Sequence, residues 1–450
     1  MSVRKVYMLG LGCPKNQVDA ELMLGKAVAE GHQIVDDPDQ ADVLVVNTCS
    51  FIDAAREESV AAVLELAGKK AAGGQRLVVT GCLAERYGAE LVTELPEVDA
   101  FVGTGALAEF PEALDAGGGR LFKGDKHYLP AASMERRLGD LDGSAYVKVS
   151  EGCDHECAFC VIPQIRGRHE SRELEDVAAE VEGLARRGVV EVNLIAQDLS
   201  AYGRDRGQAE GLAELLYRLG RVGGIERVRC LYLYPNTLTD AALEAIATVA
   251  NVCPYIDIPL QHADREVLRR MRRGKDAGSL MRLLERIREH IPGVALRSAF
   301  ITGFPGETEE AFEVLGEFVT KARFQSIGVF RYSPEEDSGA VSLDRPVPRE
   351  VAQRRCDALI ALQESISEDL LAERVGGRER VLVGGRDEDG LWWGRTDRQA
   401  PEIDGVTWLG TEGAFARGEL LEVEITGSGV HDLFARPLVP ASIDAEVGRD

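Results

Sequence analysis

EGCDHECAFCVIPQIRGR, residues Glu151 to Arg168, brings Cys153, Cys157 and Cys160 within eight positions, with Phe159 directly ahead of the last thiol. The stretch before it, Ala145-Tyr146-Val147-Lys148-Val149, alternates small or apolar with polar side chains and predicts a strand. The thiols therefore lie on a loop leaving a strand end. Three clustered thiolates are the ligand set of a soft metal or an iron–sulfur cluster. A structural zinc site normally takes four ligands and is closed. This loop offers three thiols, with His155 and His169 nearby. On a four-iron cluster three thiolates leave one iron without a protein ligand, open to a small molecule.

Downstream of that loop, strand and helix patterns alternate to about Arg374. Strands are expected at Glu191–Ile195, Arg227–Leu233, Tyr255–Pro259, Ala295–Ile301 and Ser326–Tyr332. Helices are expected at Leu174–Arg187, Gly211–Leu219, Asp240–Val249, Ala277–His290 and Glu307–Ala322. Six such units predict a partial or complete βα barrel with its site at the carboxyl ends of the strands. The residues there are polar: Gln197 and Asp198, Tyr234 and Asn236, Gln261 and His262, and the turn Gly303-Phe304-Pro305-Gly306-Glu307-Thr308. Arg297 lies in mid-strand, and if it points into the barrel it needs an anionic partner.

Upstream, residues 1–127 repeat a strand–loop–helix pattern, which predicts a doubly wound parallel sheet. Strands are expected at Val6–Leu9, Val43–Val46, Leu77–Val79 and Ala100–Val102. The helices that follow are expected from Val18, Asp53, Ala84 and Ala106. Cys13, Cys49 and Cys82 follow the first three strands at equivalent positions, and carboxyl ends of neighbouring parallel strands are where open α/β sheets build sites. A single such cysteine is an ordinary small core residue; three at equivalent strand ends predict a second three-thiolate cluster. Gly12 and Gly81 would let backbone approach it, and Asn47 and Thr48 could donate hydrogen bonds to its sulfurs.

A polar, glycine-rich stretch from Gly117 to Asp142 joins these two parts. A helix expected from Arg349 to about Arg374 then gives way to short alternating strands, at Arg380–Val383, Trp392–Thr396 and Leu420–Thr426, which predict a small antiparallel OB-like barrel. Such barrels often bind nucleic acid through basic grooves and aromatics. Residues 378–450 instead carry a net charge of −7, so Trp392, Trp393 and Trp408 are expected to serve core packing or protein contact. Cys230, Cys253 and Cys356 stand alone and read as structural.

The whole chain is acidic, with 76 Asp and Glu against 52 Lys and Arg, a net charge of −24 over 450 residues. That excludes a global basic footprint for nucleic acid and favours a basic partner. Nine cysteines without a signal-peptide pattern predict a reducing, cytoplasmic setting. No stretch approaches the roughly 20 apolar residues that span a bilayer.

The Cys153-Cys157-Cys160 spacing with its aromatic neighbour resembles the signature of the radical S-adenosylmethionine superfamily. Over nearly its full length the chain resembles the methylthiotransferases of that superfamily, and within them the RimO-type ribosomal protein methylthiotransferases. The stretches that carry this are LGCPKNQVDAE (Leu11 to Glu21), NTCSFIDAAREES (Asn47 to Ser59), SEGCDHECAFCVIPQIRGRHESR (Ser150 to Arg172) and RTDRQAPEIDG (Arg395 to Gly405). The tRNA-modifying sister family usually has Gln-Met-Asn where Pro14-Lys15-Asn16 stands here. Two departures touch local contacts: Asp264-Arg265 replaces a usual Ser-Asp, and Ser298-Ala299 a usual pair of threonines.

The resemblance implies a cluster-binding domain over 1–127, a radical S-adenosylmethionine core over 139–374 and a terminal TRAM domain over 375–441. It implies two [4Fe-4S] clusters and S-adenosylmethionine as cofactors. The cluster on Cys153, Cys157 and Cys160 would cleave S-adenosylmethionine to a 5′-deoxyadenosyl radical, which takes hydrogen from the β-carbon of an aspartate in small-subunit ribosomal protein twelve. The cluster on Cys13, Cys49 and Cys82 would carry the added sulfur, methylated by a second S-adenosylmethionine. Phe159, Gln197, Gln261 and Arg297 are the expected cofactor contacts, Arg297 towards the S-adenosylmethionine carboxylate. An electron donor such as flavodoxin or ferredoxin, a monomeric state and no membrane partner complete the expectation. The alternatives are a tRNA adenosine methylthiotransferase, which the acidic terminal barrel disfavours, and a non-enzymatic zinc-stabilised binding module.

Overall fold

Strands covered on both faces read as unbroken apolar runs, and the amino-terminal part shows this in Val43–Val46 and Leu77–Val79, all with no exposed surface. The computed structural model describes residues 3–126, 128–139 and 143–438. The first part comprises β1 (Lys5–Gly10), α1 (Pro14–Ala29), β2 (Gln33–Ile34), β3 (Val43–Thr48), α2 (Asp53–Gly73), β4 (Arg76–Gly81), α3 (Cys82–Glu94), β5 (Ala100–Val102), α4 (Phe110–Asp115) and β6 (Arg120–Phe122). All six strands are parallel, in the order β2-β1-β3-β4-β5-β6. Two helices start earlier than the sequence pattern suggests. Pro14 opens α1 at its first turn, where a missing N–H costs nothing, and α3 begins at Cys82 itself. The short β2 and β6 escape a pattern reading because two or three residues carry no period.

The second part runs β7 (Ser144–Lys148), β8 (Ser150–Glu151), α5 (Ile162–Arg166), β9 (Glu170–Ser171), α6 (Leu174–Arg186), β10 (Glu191–Ile195), α7 (Gly211–Leu219), β11 (Arg227–Cys230), α8 (Asp240–Thr248), β12 (Tyr255–Asp257), α9 (Arg265–Arg270), α10 (Ala277–His290), β13 (Ala295–Thr302), α11 (Glu309–Ala322), β14 (Ser326–Arg331) and α12 (Arg349–Ala372). Six parallel strands form two ladders, β7-β10-β11 and β12-β13-β14. Between β11 and β12 the ladders meet at a Val228–Val252 bridge and at the Leu233 N–H, which donates to the Asp257 carbonyl at 2.9 Å. Among the described residues β7 and β14 do not pair, so the barrel is partial. Strands β11 and β12 end two or three residues before expectation. Tyr232 adopts a left-handed φ of 64° just past β11, and Gln261 one of 74° where it bridges back to Phe300. Helix α11 starts at Glu309, capped by the Thr308 hydroxyl, because Glu307 is drawn back to the Gly303 N–H.

The third part, β15 (Arg378–Arg386), β16 (Trp392–Arg395), β17 (Thr407–Gly410), β18 (Leu420–Ser428) and β19 (Leu433–Pro437), closes as a five-stranded barrel in the order β15-β16-β17-β19-β18. It departs from the antiparallel expectation at one seam, where β17 and β19 run parallel. Trp392 fills the barrel core, its ring edge-on to Phe415 at 5.4 Å, and the Trp408 indole N–H donates to Asp432 at 3.0 Å. Trp392 thus serves packing, whereas Trp408 is half-buried. Residue 127 and residues 140–142 of the linker, and the expected end of this part at 441, lie outside the described residues.

A buried ion cluster fastens this barrel to the foot of the larger one. Glu191, with no exposed surface, pairs with Arg229 at 3.1 Å and with Arg395 of β16, while Arg227 donates to the Arg395 and Arg380 carbonyls at 2.7 Å. Burial alone would raise the Glu191 carboxyl, but Arg395 and Arg229 outweigh it and hold the group far below the usual carboxylate range.

Candidate active site between two cysteine triads

Strand–loop–helix units deliver the amino-terminal thiols. Cys13 is the N-cap of α1, Cys49 follows β3, and Cys82 is the first residue of α3. Two of the three thiols thus sit at helix N-termini, whose free N–H groups and dipole favour negative charge. Gly12 and Gly81 allow the close packing expected of them. With φ of 95° and 94°, each suits only glycine; a Cβ on Gly12 would lie 2.9 Å from the Cys49 Cβ, and one on Gly81 2.5 Å from the Thr48 carbonyl. Asn47 and Thr48 do not donate to sulfur. The Asn47 amide donates to the Asn16 carbonyl at 2.7 Å and the Thr48 hydroxyl to the Thr80 carbonyl at 2.5 Å. The sulfur partners are Asn16 and Arg166, whose Oδ1 and Nη2 lie 3.5 and 3.4 Å from the Cys82 Sγ.

The second triad is held by backbone. The Cys153 N–H donates to Gly167 at 3.1 Å, the Ala158 N–H to Met271 at 3.0 Å, and the Ala340 N–H to Ala158 at 2.7 Å. Arg273 Nη1 lies 3.5 Å from the Cys157 Sγ and its guanidinium 4.3 Å from the Tyr234 ring centroid. His155 stacks on the other face of this cage, 3.6 Å from Tyr234, with its Nε2 2.7 Å from Asp198. His169 Nε2 bonds the Ser171 hydroxyl at 3.0 Å. Each imidazole is engaged through Nε2 alone, and the buried His169 Nδ1 has no hydrogen-bond partner among the described residues.

Of the expected cofactor contacts, Phe159 belongs to this loop. Phe159 packs edge-on to Phe304 of the glycine–proline turn at 6.5 Å, and Phe304 in turn on Tyr332 at 5.1 Å. The Gln197 amide donates to Glu151, leaving its buried Oε1 without a partner. Gln261 bridges to Phe300 through its backbone, its N–H donating to Ala299 at 2.8 Å. Arg297 finds its anion within the chain: Nη1 pairs with Asp257 at 2.9 Å, while the buried Nε has no hydrogen-bond partner.

What sequence reading missed lies between the triads. Asp19 of α1 accepts from Lys148 and from Arg166, each at 2.6 Å. Lys148 and Arg166 also reach Glu151, at 2.6 and 3.1 Å, and Arg166 reaches Asn16 at 2.6 Å and Cys82. All four charged groups are buried. Burial would raise the Glu151 carboxyl, yet Lys148 and Arg166 outweigh it and hold the group down to about 2. One cluster of alternating charges therefore connects the amino-terminal thiols to the loop of the second triad.

Burial pushes the free thiols the other way: Cys82 and Cys160 up to about 12, Cys153 up to about 11. They become thiolates when a metal supplies positive charge. Among the described residues no three His, Cys, Asp or Glu side chains converge tightly enough for a single metal ion. Three thiols per site, glycine-lined approaches, and cations beside Cys82 and Cys157 suit a larger, anionic iron–sulfur cluster in each.

Comparison with known proteins agrees with this architecture. Residues 5–103 match the model of an uncharacterized protein family, UPF0004; residues 147–319 match the radical SAM superfamily and residues 375–438 the TRAM domain. The ribosomal protein uS12 methylthiotransferase RimO of Anaeromyxobacter sp. (strain Fw109-5) is 47% identical, over 96% of this chain and 93% of its own. The RimO proteins of Sorangium cellulosum and Moorella thermoacetica are 45% and 44% identical, over 100% and 94% of this chain and 93% and 96% of theirs. Among solved structures, the radical S-adenosylmethionine methyltransferase TsrM of Kitasatospora setae superposes with a TM-score of 0.57 at 16% identity, over 87% of this chain and 81% of its own. The cobalamin-dependent radical enzyme OxsB superposes with a TM-score of 0.53 at 12% identity, over 81% of this chain and 56% of its own. At those identities the likeness is one of fold.

Proposed function

This chain belongs to the ribosomal protein uS12 methylthiotransferase family, and we propose that it methylthiolates the β-carbon of an aspartate in uS12. The observation that carries the proposal is the buried Asp19–Lys148–Glu151–Arg166 cluster. It makes one rigid site of two triads, so that hydrogen removal and sulfur delivery can act on a single carbon. When bound, a [4Fe-4S] cluster would supply the electron that cleaves S-adenosylmethionine to a carbon radical, and a second one would carry the sulfur to be added.

The chain's own residues hold and position. We assign Cys153, Cys157 and Cys160 to the first cluster and Cys13, Cys49 and Cys82 to the second. Arg273 and Arg166 offset the charge of each through Cys157 and Cys82. S-adenosylmethionine sits among Phe159, Gln197, Gln261 and Arg297, with the unpartnered Gln197 Oε1 available to it, while Arg297 is already paired with Asp257 and Asp404. These roles divide the chain functionally at 1–127, 139–374 and 375–441. A one-electron donor such as flavodoxin or ferredoxin, acting on a monomer in the cytoplasm, completes the proposal. No described helix is long and apolar enough to cross a membrane.

Iron and sulfide counting after anaerobic reconstitution tests the second cluster. Changing Cys13, Cys49 and Cys82 together to Ala should remove about half the iron and all methylthiolated uS12. Retention of full iron and product would reduce those thiols to core residues.

Charge supports uS12, a basic protein, over tRNA as partner, since residues 378–450 carry −7. Glu422 is exposed, and Glu419 and Glu424 are half-buried beside it. Changing all three to Lys takes the segment to −1 and should slow association with uS12 mainly through the on-rate. The wild-type on-rate should itself fall with salt, because screening acts over about 8 Å at physiological strength. Stopped-flow association at two salt concentrations checks this; tight, salt-sensitive binding of tRNA and none of uS12 would reverse the choice of substrate.

A further inference from the structure

We propose that Lys15 is the binding residue for the side-chain carboxylate of the aspartate that is modified, an inference that rests on the uS12 reading above. Lys15 is 7% exposed, yet its ammonium makes no hydrogen bond or ion pair with any described residue. The Tyr232 ring lies 2.9 Å from Nζ to the centroid, and Cys13, Asp257 and Glu151 act on the ammonium only as neighbouring charges. Other buried cations of the site are differently placed: Lys148 and Arg166 share Asp19 and Glu151, and Arg297 has Asp257. An ammonium carries three donors, and burying it without an acceptor is costly. Its vacant acceptor is a carboxylate brought from outside.

Position agrees with chemistry. Lys15 stands two residues from Cys13, and Tyr232 just past the carboxyl end of β11, where a βα barrel places its site. The platform is built: Tyr232 keeps a left-handed φ of 64°, its N–H donating to Asp257 at 3.0 Å, a strained arrangement the surroundings must enforce. The carboxylate of an aspartate is one bond from its β-carbon. A residue that grips it must therefore stand beside the sulfur-bearing triad, as Lys15 does. The nearest carboxylates are already taken: Asp257 by Arg297 and Tyr232, Glu151 by Lys148, Arg166 and Gln197.

The test is equilibrium binding of reconstituted enzyme to uS12 with its target aspartate intact or changed to asparagine. Lys15→Met keeps the apolar stem over Tyr232 and removes the charge; Lys15→Arg restores it. Wild type should prefer the aspartate form by roughly tenfold to hundredfold, as a hydrogen-bonded charge contact supplies. Lys15→Met should abolish that preference by weakening the aspartate form alone, and Lys15→Arg should recover part of it. Lys15→Met that keeps the wild-type preference overturns the proposal. So does equal weakening of both forms together with loss of iron, which would make Lys15 a support of the amino-terminal cluster. Wild type that binds neither form overturns the uS12 reading itself, and with it this assignment.

Discussion

Arg166→Met is expected to destabilise the protein by about 3–5 kcal/mol, the usual cost of removing one member of a buried ion cluster. Arg166 touches Asp19, Glu151, Asn16 and Cys82, and among the described residues no other side chain joins those four. Without it, Lys148 alone faces Asp19 and Glu151, and one buried carboxylate charge is left uncompensated. The effect should depend on pH in a defined direction. Glu151 has a folded value near 2, below its ordinary 4.5. Its contribution to stability is therefore present above 4.5 and is lost as pH falls from there towards 2. The gap between wild type and Arg166→Met should be full at neutral pH and narrow below 4.5. Urea unfolding at pH 7 and at pH 3 measures it; a gap below 1 kcal/mol at pH 7, or one equal at both values, would refute the cluster's role. Iron in the amino-terminal triad should fall as well, because the cation beside Cys82 goes with it.

That cluster marks the limit of what the sequence discloses. Both triads are legible because clustered thiols are a recognisable ligand set and because strand ends can be located from apolar runs. Lys148 is not legible as an active-site residue. In an alternating strand it reads as the solvent face, whereas β7 turns that face towards α1. Asp19 and Lys148 are 129 positions apart and Asn16 and Arg166 150, so no local period relates them. Arg297 shows a subtler gap. Its need for an anion is plain from its place in mid-strand, but the register that sets Asp257 opposite it appears only when β12 and β13 are paired. Tyr232 and Gln261 carry no sequence signal for positive φ, and β11 and β12 were expected to run on. The parallel β17–β19 seam closes through strands of four and five residues, too short to declare a direction.

Changing Cys153, Cys157 and Cys160 together to Ala is expected to abolish reductive cleavage of S-adenosylmethionine and to remove about half the bound iron. The loop that carries this triad should keep its fold in the variant. It is fixed by main-chain bonds to Gly167, Met271 and Ala340, and by Phe159 against Phe304, none of which involves sulfur. Cys153 is buried and Cys157 and Cys160 are half-buried, and alanine replaces each of these small groups with little change in volume. The loss should therefore be chemical: secondary structure by circular dichroism should match wild type while 5′-deoxyadenosine disappears. The sharper control is Arg273→Met, which keeps all three thiols and removes the cation 3.5 Å from Cys157. It should retain iron and shift the reduction potential downwards, since a neighbouring positive charge favours the more negative, reduced cluster. Undiminished 5′-deoxyadenosine from the triple variant would mean that the open cluster sits on other residues.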